Sequence, residues 1–234
     1  MADYIASSPR FPRRNPLPIN PPYHGTRNPV RPSGRGFRGK FASRKMHRMV
    51  RCESLLEMWC LHLAEFARGI ASYQEQPICI SYRCGGRTRR YTPDFRFSWD
   101  DGREWYVEVK PRSRAHTDEN QEKFAEIERY FDGSGAKFVL LTEVELKHPH
   151  RLPQVQYLLS KIPSDCAYED SQITSVWEGC DQVTFAEAEE LLGGRLRVIE
   201  GLARRELACD LTQPIEAHTA IRLFRGDDDV ALFI

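Results

Sequence analysis

The stretch Pro93-Asp94-Phe95-Arg96-Phe97-Ser98-Trp99-Asp100-Asp101-Gly102-Arg103-Glu104-Trp105-Tyr106-Val107-Glu108-Val109-Lys110 decides the reading of this chain. Residues 94–99 and 103–110 are rich in aromatic and β-branched side chains, which predicts two strands. Side chains alternate between the faces of a strand, so Glu108 and Lys110 share one face. A two-residue Asp101-Gly102 turn would set Asp94 opposite Val109, on the wrong face for a joint site. A three-residue Asp100-Asp101-Gly102 loop, with glycine at the left-handed position, sets Asp94 opposite Glu108. The same register pairs Phe95 with Val107 and Phe97 with Trp105, a continuous apolar face. Packing and chemistry therefore select one register. Its polar face gathers an acid and an acid-x-lysine, residue types that hold a divalent cation and a water against a phosphodiester.

A further acid is expected from outside the hairpin. In residues 51–66, the apolar positions Leu55, Leu56, Trp59, Leu63 and Phe66 follow helical spacing. Glu53 and Glu57 are four apart and lie on one face of that helix. Glu57, flanked by Leu56, is read as aimed at the metal.

The 234 residues carry a net charge of only +1, but the balance is uneven along the chain. Residues 1–51 hold 12 Lys/Arg and a single acid, Asp3, whereas the rest holds 22 Lys/Arg against 32 Asp/Glu. The first 33 residues also contain 8 of the 15 prolines. Residues 1–45 are therefore expected to form a basic, Pro-rich flexible arm that adds salt-dependent contacts to phosphates. Lys40, Arg44, Lys45 and Arg48 are candidate DNA-binding residues within and just beyond it. Arg89 and Arg90, before the Asp94 strand, are candidate phosphate contacts.

No apolar run reaches 18 residues, which excludes a spanning helix. Neither a secretory signal nor a Gly-rich phosphate loop is read in the sequence. Seven cysteines, odd in number and without a C-x-x-C pair, suggest free thiols in a reducing cytoplasm.

The order of elements predicts an α/β domain with a mixed sheet over residues 46–150. Its parts are a strand over 72–84, the hairpin, a helix over 118–130 and a buried strand over 137–142. Pro149 and Pro153 mark a boundary. A connector spans 151–172, with a helix from Pro153 to Lys161 and a linker over 163–170. Residues 173–234 read as a small domain. Thr184 and Glu187 form a capping-box pattern, Gly193-Gly194 breaks the helix, and a second helix runs over 195–205. Residues 206–211 and 219–224 can pair as a hairpin. This is the winged-helix order. Arg195, Arg197, Arg204 and Arg205 could touch phosphate there, and Asp227-Asp228-Asp229 is read as a solvated acidic run.

Residues 39–149 resemble the catalytic domain of TnsA-type endonucleases, the partner nucleases of heteromeric cut-and-paste transposases. The similarity rests on Arg51-Cys52-Glu53-Ser54-Leu55-Leu56-Glu57, Gln74-Glu75-Gln76-Pro77, Arg89-Arg90-Tyr91-Thr92-Pro93-Asp94-Phe95 and Val107-Glu108-Val109-Lys110-Pro111, with Phe138 to Glu143 resembling a later strand. The resemblance implies a restriction-endonuclease-like mixed sheet flanked by helices, followed by a winged-helix-like C-terminal domain. It implies Glu57, Asp94, Glu108 and Lys110 as catalytic residues, with Asp94, Glu108 and Glu57 holding Mg²⁺ and Mn²⁺ as a substitute. Glu108 stands where some members carry Gln; both residue types offer an oxygen. Glu53 rivals Glu57, whose distance to the Glu75-Gln76-Pro77 motif fits the family better. Gln76 and Glu53 are possible supporting residues. The activity implied is cutting of the 5′ strand at transposon ends. The implied partners are DNA, a TnsB-like transposase and a TnsC-like ATPase regulator, in a prokaryotic cytoplasm and on the nucleoid when active. Residues 39–49 are similar to members from CRISPR-associated transposons, which implies an RNA-guided system. The competing expectations are a stand-alone repair or restriction nuclease of the same fold, and a non-catalytic docking module.

Overall fold

A computed structural model describes residues 37–162, Ile173, Trp177 and residues 181–234. The expected linker over 163–170 and most of the basic arm lie outside these. The arm's last part does not: β1 (Gly39–Ser43) pairs antiparallel with β2 (Arg48–Cys52). Residues 39–45 are thus folded, in a hairpin beside α1 (Leu55–Phe66).

Four strands form the main sheet, in the order β3 (Ile70–Glu75), β6 (Phe95–Trp99), β7 (Glu104–Val109) and β8 (Lys137–Leu141). The first two pairings are antiparallel and β7–β8 is parallel, so the sheet is mixed. The expected strand over 72–84 is two strands. Chain direction breaks after Glu75, where Gln76 takes a left-handed φ of +45°. β4 (Ile80–Cys84) and β5 (Arg87–Tyr91) then form a separate hairpin.

The register of the β6–β7 hairpin is the one that packing demands: Phe95 faces Val107 and Phe97 faces Trp105. Trp99 N–H donates to Arg103 C=O at 2.9 Å, closing the three-residue loop, and Gly102 has φ +89°. A Cβ at Gly102 would meet nothing within 4 Å, so its need for glycine is purely a matter of backbone conformation. Gly102→Ala is expected to cost about 1–2 kcal/mol for that reason. Urea melts of the full-length protein check this, and an unchanged midpoint would sink the argument.

One face of the sheet carries Phe95, Phe97, Trp99, Trp105 and Val107 into the main core, together with Cys60, Leu61, Leu63 and Ala64 of α1. Local periodicity places Leu55 inward, but it is 51% exposed. On the other face α3 (Asp118–Asp132) buries Phe124, Ile127 and Phe131, with the Phe131 ring stacked on Tyr106 at 4.1 Å. Between β7 and α3 lies the short α2 (Arg112–Ala115); after β8 come α4 (Glu143–Leu146) and α5 (Arg151–Lys161). Pro153 falls in the first turn of α5, where a missing N–H costs nothing.

After residue 180 the order is β9 (Val183–Thr184), α6 (Phe185–Leu192), α7 (Arg195–Ala203), β10 (Leu207–Ala208) and β11 (Ala220–Leu223). Thr184 and Glu187 make the capping box that their spacing predicts. β11 is the central strand, flanked by β10 and β9.

The acidic run is solvated only at Asp227, which is exposed. Asp229 is fully buried, accepts from Arg205 Nη2 at 2.9 Å and Nε at 3.1 Å, and accepts from Gly69 N–H at 2.6 Å. Asp228 binds the Arg222 guanidinium through both carboxylate oxygens. Beyond it Phe233 lies against Phe97 and Trp105, with ring centroids at 5.7 and 6.1 Å. Leu232 and Phe233 thereby join the core beneath the main sheet. No helix among the described residues is long and apolar enough to cross a membrane.

Candidate active site

The register that aligns the apolar face brings Asp94 beside β7. Asp94 Oδ2 accepts from Val109 N–H at 2.8 Å, and Oδ1 accepts no hydrogen bond among the described residues. Glu108 is 5% exposed, and both of its oxygens are held. Tyr91 OH donates to Oε2 at 2.7 Å and Lys110 Nζ donates to Oε1 at 2.6 Å. Lys110 N–H donates to Leu141 C=O at 2.9 Å, which fixes the base of its side chain to β8.

Burial drives the Asp94 carboxyl well above its ordinary value of 3.8, and the negative charges of Glu108 and then Glu57 push it further. Glu57 is raised as well, first by burial and then by the charges of Glu53 and Glu108. These three carboxylates thus repel one another across the site. Cys60, on the buried face of α1, adjoins the same cluster. Its thiol is pushed up by burial and then by Asp94 and Glu57, so it stays neutral.

Glu57 sits in the first turn of α1, capped by Ser54. Its Oε2 accepts from Glu53 N–H at 2.7 Å and its Oε1 from Ser54 Oγ at 2.9 Å. Glu53 is exposed and accepts from Gln76 Nε2 at 3.0 Å. Of the two glutamates, it is Glu57 whose charge raises the proton affinity of Asp94. Gln76 N–H donates to Asp94 C=O at 2.8 Å, while its Oε1 is buried with no partner among the described residues.

Among the described residues, no three acid, histidine or cysteine side chains stand gathered as a ready cage for a metal. The donor chemistry nevertheless suits one. Hard carboxylate oxygens, mutually repelling and exceeding the local ammonium charge, match Mg²⁺, which keeps several waters and takes one or two protein carboxylates.

The structure adds a residue that sequence reasoning misses. Lys123 of α3 holds its ammonium 4.7 Å from the Tyr91 ring and 4.9 Å from the Phe124 ring. The Lys110 ammonium lies 5.4 Å from the same Phe124 ring. Burial lowers the Lys123 pKa, while Glu108 and Asp94 partly restore it. In sequence a lysine between Glu122 and Phe124 reads as the rim of an amphipathic helix; only packing turns it to the site. Lys123→Ala is expected to slow single-turnover cleavage on the order of tenfold or more, with Lys123→Arg retaining most of the rate. Equal rates in wild type and Lys123→Ala would remove it from the site.

Several of the basic candidates make contacts within the chain. Arg44 Nη1 donates to Ile162 C=O at 2.5 Å, and Lys45 Nζ caps the end of α1 through Ala64 and Ala67 C=O at 2.9 and 2.5 Å. Arg48 forms a bidentate pair with buried Glu75 at 2.9 and 2.6 Å. Lys40 is exposed on β1. Arg205 belongs to the buried Asp229 pair, while Arg195 and Arg197 pair with Glu189 and Glu200. Arg89 and Arg90 lie exposed on β5.

Residues 68–143 match the family model described as TnsA-like endonuclease N terminal. The segment holds Gln76, Asp94, Glu108, Lys110 and Lys123; Glu57 precedes it. The comparison with curated proteins returned no match. The likeness to a TnsA-like endonuclease N-terminal domain is thus carried by residues 68–143, the segment that holds the hairpin acids and Lys110.

Proposed function

We propose that this chain, with a TnsA-like endonuclease N-terminal segment over residues 68–143, is a Mg²⁺-dependent DNA endonuclease that cuts the 5′ strand at transposon ends. The observation that carries the reading is the meeting of Asp94, Glu108 and Lys110 at one end of the β6–β7 hairpin. Asp94 and Glu108, with Glu57, would hold the cation, which supplies charge neutralisation at the phosphate and a more acidic water when bound.

This chain's own groups do the positioning. Tyr91 and Lys110 fix the Glu108 carboxylate from two sides. The Lys110 ammonium stands ready to oppose negative charge that builds on the phosphate oxygens. Lys123, across the Phe124 ring, adds a second positive charge. Crowded carboxylates that repel one another in the free protein are an arrangement that gains from a cation, and active sites are where such perturbed groups concentrate.

The tail supports a winged-helix-like reading. Its order β9–α6–α7–β10–β11 with β11 central fits the strand and helix order of that motif, and α5 packs on α7 in the place of a first helix. A TnsB-like transposase for the other strand and a TnsC-like ATPase regulator are the partners in this reading, and an RNA-guided element is the setting that residues 39–49 favour.

Strand-resolved cleavage of labelled transposon-end DNA with Mg²⁺, with and without the transposase and ATPase, tests the reading. The expected result is 5′-strand cutting that requires the partners. Cutting by the chain alone would favour a stand-alone nuclease instead. Complex assembly with no cut under any condition would leave only a docking role.

A further inference from the structure

Residues 80–91 leave the main sheet as a two-stranded ribbon. β4 and β5 pair from Ile80↔Tyr91 to Cys84↔Arg87. Gly85 and Gly86 close it, with φ +57° and +73° as a type I′ turn requires. The faces divide by alternation. Ile80, Tyr82, Cys84 and Tyr91 are buried in a cluster with Phe124, Ile127 and Phe138. Ser81, Arg83, Thr88 and Arg90 face away and are exposed, and Arg87 is exposed beside the turn. Among the described residues Arg83, Arg87 and Arg90 have no ion pair and no side-chain hydrogen bond, whereas Arg89 pairs with Glu119 at 3.4 Å. Residues 77–93 contain Arg83, Arg87, Arg89 and Arg90 and no acid.

We infer that this ribbon is the groove contact of the enzyme, inserted into duplex DNA next to the scissile phosphate; the inference rests on the endonuclease reading above. Its dimensions suit that place. Two strands about 5 Å apart, with their side chains, enter a major groove about 12 Å wide. Five residues of strand reach about 17 Å, roughly five base pairs of duplex. Its base is anchored at the site, because Tyr91 OH binds Glu108 and Tyr91 precedes Asp94 by three residues. The distance between contact and cut is thereby fixed by the fold. Charge points the same way. Beyond residue 51 the chain is acidic, 22 Lys/Arg against 32 Asp/Glu, so approach to phosphates needs a localised cationic surface. Guanidinium forks serve it by binding phosphate or the guanine edge in two-point fashion.

The test uses full-length protein with Asp94→Ala, which separates binding from cutting. Affinity for a short labelled duplex is measured by fluorescence anisotropy across a salt series, with and without Arg83→Ala/Arg90→Ala. The double change should weaken binding about ten- to hundredfold and lower the salt slope by about 2, near 0.9 for each phosphate no longer neutralised. Arg83→Lys/Arg90→Lys should keep most of the slope. Both arginines are exposed, so melting should be unchanged, which thermal scans verify. An unchanged slope and affinity would overturn the inference, as would absence of duplex binding at low salt. Loss of partner-protein binding with DNA binding intact would reassign the ribbon to protein docking. Should the protein with Asp94 intact fail to cut even with the transposase and ATPase present while the ribbon effect is present, the nuclease reading falls and the ribbon contact stands.

Discussion

Asp94→Ala is expected to lower the 5′-strand cleavage rate at least about a thousandfold, the scale seen when a group that organises charge at the reacting phosphate is removed. The replacement also removes a raised carboxyl, and this gives a second readout that loss of fold cannot imitate. In the metal-free protein the Asp94 carboxyl stands well above 3.8 because of burial, then Glu108 and Glu57. The folded protein therefore binds more protons than the unfolded chain as pH rises above 3.8. Stability falls with pH through that window until the folded group ionises. Metal-free Asp94→Asn should consequently melt higher than wild type at neutral pH and show a flatter pH profile, while cutting no DNA. A variant that is both inactive and less stable at neutral pH would indicate that Asp94 serves the fold and not a site.

The second large effect lies at the other end of the β6–β7 hairpin from Asp94, where Gly69 bonds both Asp229 and Asp100. Asp229→Ala strands the Arg205 guanidinium, which is 3% exposed and has Asp229 as its ion-pair partner. Breaking a buried pair by deleting one member costs about 3–5 kcal/mol. The change also leaves Gly69 N–H without its acceptor at the start of β3. For a chain of this size that corresponds to a fall in Tm of roughly 6–20 °C, read by thermal denaturation. Asp229→Asn, which keeps an acceptor for Gly69, should lose less. A shift within a degree or two for Asp229→Ala would mean that the pair contributes nothing net.

The contrast between these two aspartates shows what a sequence exposes. The hairpin is legible because a period of two and a short glycine-bearing loop leave few registers, and only one puts the aromatic residues together. Thr184 and Glu187 are legible as a capping box because the interaction spans three residues. Long-range choices are not. Nothing local distinguishes Asp229 from a solvated acid; its partner, Arg205, comes from the end of α7, and its second donor lies 160 residues away. The inward face of α1 is shifted toward Cys60, Leu61 and Ala64 because the sheet, not the helix, decides which side is covered. The strand expected over 72–84 splits at Gln76, whose left-handed backbone no propensity scale favours. Arg44, Lys45 and Arg48 read as phosphate-facing cations of a basic arm, and nothing local shows that they also bind carbonyls and Glu75 of the fold.

Phe233 against Phe97 and Trp105 has a consequence for biosynthesis. The apolar side of the β6–β7 hairpin is finished by residues made about 130 positions later. While those residues are still inside the ribosome, the hairpin has strands and a turn but an unfinished core. The hairpin therefore cannot complete its packing ahead of the tail. The hairpin reaches its final packing only once Phe233 has joined the core. Until then the nascent chain carries the acids and the lysine without the core that aligns them.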